Sequence, residues 1–220
     1  MVSSRIHTYE NWIFDWSGTL VDDLTMVVNA TNHVLRIYGR PEIDRAEFRR
    51  RFRLPYAGFY EEVLPGVPLE ELEDHFREGF ALSVASGVQS PMLPYAMDFL
   101  RCLHARGKRM FILSSMDALA FSEHADELAV SHYFEATYAG VLDKRDQIHR
   151  ILDRHQLQNE QTVFLGDMTH DIETARHGKV TSIALLTGYQ GEEELSRVSP
   201  DLLVNNLSEI QTLLETNQPL

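Results

Sequence analysis

The sequence predicts an α/β protein: a doubly wound parallel sheet core with an inserted helical domain. Three observations carry that expectation. Short, almost continuous apolar runs recur along the chain, and strands of this kind are buried on both faces, as in a parallel sheet covered by helices. Amphipathic segments separate the runs over the C-terminal two-thirds, so strand and helix alternate. Between about residues 23 and 89 the alternation stops, and helical periodicity takes over.

In chain order, the first run is Trp12-Ile13-Phe14, followed by the turn Asp15-Trp16-Ser17-Gly18-Thr19-Leu20. Val21-Asp22-Asp23 leads into the inserted region, where residues 26–38 and 69–85 repeat apolar side chains at helical spacing. Ser90-Pro91-Met92-Leu93-Pro94 leads out, and its prolines mark a boundary or hinge. The expected division is therefore a core of residues 1–22 and 90–220 and a helical domain of residues 23–89. Helical spacing returns over residues 96–104, which places Cys102 as a packed thiol. Four further strands are expected at Met110-Phe111-Ile112-Leu113, Val163-Phe164-Leu165, Ile183-Ala184-Leu185-Leu186 and Leu202-Leu203-Val204. Residues 144–155, with Ile148, Ile151 and Leu152 on one side, are expected to form the helix that precedes the second of these. No internal repeat or low-complexity segment interrupts the pattern, and residues 217–220 are expected to fray.

Composition narrows the function. At 220 residues, 44% hydrophobic and 24% charged, the chain is an ordinary globular one, which excludes collagen-like, fibrous and disordered classes. Its 33 acidic and 20 basic residues give a net charge of −13, a surface that repels phosphate backbones and anionic lipid. Neither nucleic acid nor membrane is an expected partner. No stretch has the length and apolarity of a signal peptide or a spanning helix. The single cysteine excludes an internal disulfide framework and a multi-cysteine zinc site, so a reducing, cytoplasmic setting is expected, with the chain a monomer or homodimer.

Polar residues follow three of the strands at the carboxyl edge, where open α/β sheets place their sites. Asp15-Trp16-Ser17-Gly18-Thr19 follows the first, Ser114-Ser115 the second, and Gly166-Asp167-Met168-Thr169-His170-Asp171 the third, with Lys144 opening the preceding helix. Taken in order, with a domain-sized gap after the first, these four motifs resemble haloacid-dehalogenase-like (HAD) superfamily hydrolases. The similarity is to the phosphoglycolate-phosphatase-like branch with a helical (C1-type) cap. It covers nearly the whole chain, including Thr187-Gly188-Tyr189 and Ser199-Pro200-Asp201 near its end.

The resemblance implies a Rossmann-like core and a Mg²⁺-dependent phosphatase acting on a small phosphorylated metabolite. Asp15 would be the nucleophile that forms an aspartyl-phosphate. Mg²⁺ would be held by the Asp15 and Asp167 carboxylates and the Ser17 carbonyl. Ser114 would donate to a phosphoryl oxygen and Lys144 would add fixed positive charge; Gly18, Thr19 and Ser115 would lie beside the phosphate. The chemistry is coherent, because a carboxylate attacking a phosphate dianion needs a cation between them. Asp171 is open between a water-mediated metal contact and a partner for Lys144. His170 is expected at the rim, and as a catalytic candidate it would be a substitute proton carrier.

Ser17 departs from the family pattern. Phosphatases of this superfamily usually carry a second aspartate there, which protonates the leaving oxygen and then activates water. Losing such a group typically costs ~10²- to 10⁴-fold in rate. A catalytically impaired phosphometabolite-binding or regulatory protein is therefore the alternative. Phosphonatase-like chemistry needs a cap lysine, but the only lysines are Lys108, Lys144 and Lys179. Dehalogenase-like chemistry normally has tyrosine at this position and no Mg²⁺. In the cap, Arg45, Arg49, Arg50, Arg51 and Arg53 form a basic island. Arg53 is the candidate for a substrate anion beyond the phosphate, against the simpler reading of a solvated helix face balanced by Glu42, Asp44 and Glu47.

Overall fold

In the computed structural model, which describes residues 2–216, the apolar runs become the strands of one sheet. These are β1 (Asn11–Phe14), β2 (Arg109–Leu113), β3 (Ala136–Tyr138), β4 (Thr162–Gly166), β5 (Thr181–Leu185) and β6 (Leu202–Val204). The order is β3-β2-β1-β4-β5-β6 and every pairing is parallel. Alternation along β1 sends Trp12 and Phe14 to one face and Ile13 to the other. The helices are α1 (Val2–Arg5), α2 (Leu24–Ile37), α3 (Arg45–Arg51), α4 (Ala57–Val63), α5 (Leu69–Ala85), α6 (Ala96–Ala105), α7 (Ala118–Glu127), α8 (Lys144–His155), α9 (Thr169–His177), α10 (Glu192–Arg197) and α11 (Leu207–Thr216).

Phe99, Leu103, Ile210 and Leu214 from α6 and α11 cover the Trp12 face, and Ile148, Ile151 and Ala175 from α8 and α9 cover the Ile13 face. β1 and β4 are buried along their whole length, which is why Trp12-Ile13-Phe14 and Val163-Phe164-Leu165 read as unbroken apolar runs, each preceded by one buried polar residue, Asn11 or Thr162. The edge strand β3 carries no such run: Ala136 and Tyr138 are partly covered, Thr137 is exposed, and the apolar pattern misses it.

Helices α2 to α5 have an apolar cluster of their own, built on Val34, Leu35, Phe48, Phe59, Leu64 and Leu72 and joined by Met168 and Tyr189 of the sheet domain. The chain enters and leaves this region on two segments that run side by side and antiparallel, bridged at Val21 and Met92. Leu93 N–H donates to the Leu20 carbonyl at 2.8 Å and Asp22 N–H to that of Pro91 at 2.9 Å. Cys102 is half-buried and accepts from Arg106 at 2.8 Å. Among the described residues no helix is long and apolar enough to cross a membrane. The expected fraying of residues 217–220 lies outside the described residues.

Candidate active site

The connections from β1 and β4 run to opposite sides of the sheet, so a crevice opens where these two strands end side by side. Each strand is followed at once by an acidic residue, Asp15 and Asp167. Asp15 N–H donates to the Leu165 carbonyl at 2.9 Å, so the sheet pairing fixes the backbone that carries the carboxylate, whose Oδ1 accepts from Trp16 N–H at 2.7 Å. Asp171 comes from the first turn of α9, where its Oδ2 accepts from Met168 N–H at 3.1 Å. Oxygens of all three buried carboxylates fall within 4.8 Å of one another. Lys144, the first residue of α8 and fully buried, donates from Nζ to Asp15 Oδ1 at 2.8 Å and to Asp171 Oδ1 at 2.7 Å. Asp171 is thus a direct partner of Lys144.

Three buried carboxylates face one buried ammonium, and the imbalance shows in their proton affinities. Burial pushes the Asp15 carboxyl up to about 7, against the pull of Lys144. Asp167 is pushed well above the usual carboxylate range by burial and then by the charges of Asp15 and Asp171. Burial alone would lower Lys144, but Asp15 and Asp171 outweigh it and hold the ammonium protonated. Such an excess of buried negative charge on an all-oxygen donor set fits a hard divalent cation.

A second loop, after β5, wraps Asp167. Its Oδ2 accepts from Tyr189 N–H at 2.7 Å, and its Oδ1 accepts from the Thr19 hydroxyl at 2.8 Å. Gly18, at φ +73°, and Gly188 press so closely that a Cβ on either would lie 2.5 or 2.0 Å from Asp167 Oδ2. Gly18 and Thr19 are therefore in contact with the Asp167 carboxylate. Thr187 closes the loop by donating to the Gly18 carbonyl at 2.7 Å.

The remaining sequence candidates fall as follows. Ser114, directly after β2, is buried, and its Oγ accepts from Met116 N–H at 3.1 Å. The neighbouring Ser115 Oγ is buried without a hydrogen-bond partner, an orphan suited to an incoming polar group. His170 is not at the rim as expected: it is 2% exposed, and its Nε2 accepts from Lys144 N–H at 3.2 Å. The second position of α9 turns it inward against the start of α8, and burial lowers its proton affinity. Arg53 is half-exposed and donates to Glu62 at 2.7 Å and to the carbonyls of Gly58 and Arg51 at 2.7 and 3.2 Å.

Ser17 has a partner that the motif reading passed over. Its Oγ donates to Asp23 Oδ2 at 2.5 Å, and Tyr189 OH donates to Asp23 Oδ1 at 2.9 Å. Burial pushes Asp23 up, while both hydroxyl donors pull it down. Asp23 looked like a boundary residue, and Tyr189 like part of a closing segment. The one available signal was a second acidic residue on the same short loop as Ser17.

An open parallel sheet with a carboxylate cluster and a lysine at its switch point, under an inserted helical region, defines a hydrolase of the kind whose motifs the sequence carries. Residues 12–185 match the haloacid dehalogenase-like hydrolase family, and the chain belongs to it. It is 26% identical over 215 residues to the phosphoglycolate phosphatase of Vibrio parahaemolyticus, covering 90% of this chain and 92% of that one. It is 26% identical over 207 residues to the phosphoglycolate phosphatase of Synechococcus elongatus, covering 90% and 93%. Among solved structures, a haloacid dehalogenase-like family hydrolase from Streptococcus pneumoniae superposes with a TM-score of 0.81 at 23% identity, over 93% of this chain and 98% of that one. This last likeness is one of fold.

Proposed function

We propose that the protein is a Mg²⁺-dependent phosphatase of a small phosphorylated metabolite, working through an aspartyl-phosphate on Asp15. The observation that carries the reading is the buried Asp15 carboxylate, placed at the sheet edge and held by Lys144 beside two further carboxylates. The Asp15 and Asp167 carboxylates, with the Ser17 carbonyl, would hold the ion. When bound it would neutralise charge between nucleophile and phosphate. Lys144 aligns Asp15 and keeps one positive charge in place, and Ser114 and Ser115 supply hydroxyls for phosphoryl oxygens. The curated relatives named phosphoglycolate phosphatase point to a short phosphorylated acid as substrate. The single unpaired cysteine suits a reducing cytoplasm.

The test is hydrolysis of p-nitrophenyl phosphate and 2-phosphoglycolate with Mg²⁺, in the wild type and in Asp15→Asn. Turnover that is lost in the variant and in EDTA supports the reading. Undiminished turnover in either condition overturns it. Ser17 favours a second reading, a phosphometabolite-binding protein without turnover, in which both substrates bind and neither is cleaved.

A further inference from the structure

Asp23 occupies the position just before α2, where a short acidic side chain ordinarily caps the helix, yet its side chain makes no capping bond. It turns inward instead. The carboxylate is 2% exposed, and each of its oxygens takes one hydroxyl, from Ser17 at 2.5 Å and from Tyr189 at 2.9 Å. A buried carboxylate is unfavourable unless such donors satisfy it, so this arrangement is specific to the three residues. Tyr189 ties it to its surroundings. Its backbone N–H holds Asp167, and its ring lies 5.9 Å from that of Phe48 and 5.6 Å from that of Phe52 in the cap.

A serine has one hydroxyl hydrogen, and that of Ser17 is engaged by Asp23, which leaves its lone pairs free to accept. Building on the aspartyl-phosphate reading above, we propose that Asp23 and Tyr189 are positioning residues that hold the Ser17 hydroxyl as the acceptor for the water that hydrolyses the phosphoenzyme. In that step the water oxygen bonds to phosphorus as the bond between phosphorus and the Asp15 carboxyl oxygen breaks, and its electron pair returns to Asp15. One water hydrogen stays on the new P–OH and the other passes to a phosphoryl oxygen, so the products are the Asp15 carboxylate and dihydrogen phosphate. Ser17 orients the water by accepting a hydrogen bond, and Asp23 keeps Ser17 from rotating. The usual second aspartate would be replaced by a serine that a neighbouring aspartate immobilises.

Single-turnover rapid quench tests this, with the full-length enzyme in excess over p-nitrophenyl phosphate and Mg²⁺ present. Release of nitrophenolate reports formation of the phosphoenzyme, and release of phosphate reports its hydrolysis. In Asp23→Ala, nitrophenolate release is expected to keep its wild-type rate while phosphate release slows by about 10- to 100-fold. Tyr189→Phe, which keeps the ring on the cap and loses only the hydroxyl, is expected to slow phosphate release by roughly 3- to 10-fold and decides the matter if Asp23→Ala does not fold. Because both side chains act through one hydroxyl, Ser17→Ala/Asp23→Ala should be no slower than Ser17→Ala. Equal slowing of both releases, an unchanged phosphate release, or an additive double variant overturns the proposal alone. A wild type that releases no nitrophenolate overturns the phosphatase reading and this proposal with it.

Discussion

A fully buried lysine persists only where opposite charges take up its hydrogen bonds, and Lys144 has Asp15 and Asp171 at 2.8 and 2.7 Å. Lys144→Met removes one partner of that cluster and leaves its carboxylates uncompensated. The expected loss is ~3–5 kcal/mol in urea denaturation without divalent cation. A change near zero would show that the carboxylates do not rely on the ammonium. His170 has a different task, since its Nε2 accepts from the backbone of Lys144 and burial favours its neutral form. His170→Ala is expected to cost about 1–3 kcal/mol of stability by orphaning that N–H, and to leave the shape of the pH–rate profile unchanged. Disappearance of a limb in the histidine range would make it a proton carrier after all. Ser17→Asp, the substitution that restores the family pattern, puts a second carboxylate against Asp23. It is expected to lower kcat alone and to recover in Ser17→Asp/Asp23→Ser, where the pair is exchanged.

Between elements, the segment after β5 joins sheet and cap. The Gln190 side-chain carbonyl accepts from Thr169 N–H at 2.6 Å, at the start of α9, and its amide donates to the Phe52 carbonyl at 3.4 Å. Its backbone carbonyl accepts from Arg49 of α3 at 3.2 Å. Of the cap arginines, Arg49 thus reaches the sheet domain, whereas Arg51 and Arg53 share Glu62 on α4. That arrangement fits the helix-face reading of the island for these two, with Glu62 joining Glu47 as counter-charge. Arg53→Ala is accordingly expected to change kcat/KM by the same factor for p-nitrophenyl phosphate and for 2-phosphoglycolate, and stability by less than about 1 kcal/mol, as for a half-exposed pair. A KM increase confined to 2-phosphoglycolate would restore Arg53 as an anion contact.

For the whole molecule, proton and metal compete for one site. Without metal, the folded chain holds a proton on Asp15 up to about 7, whereas the unfolded chain releases it near 3.8. Between those values the folded state binds more protons, so this group's contribution to stability falls as pH rises. A cation displaces the proton, and its stabilising effect should therefore grow over the same range. The rise in Tm on adding Mg²⁺ is expected to be small at about pH 5 and larger at about pH 8. An equal rise at both would mean that the ion binds away from the buried carboxylates.

The sequence by itself determined the parallel sheet, because strands buried on both faces are built around apolar runs, as β1 is at Trp12-Ile13-Phe14 and β4 at Val163-Phe164-Leu165. It also determined the order of Asp15, Ser114, Lys144 and Asp167 along the chain and their attachment to strand ends and a helix start. β3 was not legible, since an edge strand with half-covered side chains needs no apolar run. Nor was the inward turn of His170, which depends on how α9 packs against α8. Only the tertiary structure brought Tyr189 to Asp23, 166 residues away, and turned Asp23 from α2 toward Ser17. Strand identity follows from local hydrophobicity, which one segment carries alone. The partner of a buried polar group is chosen by the packing of distant segments, because burial in a low-dielectric interior is what makes that partner necessary.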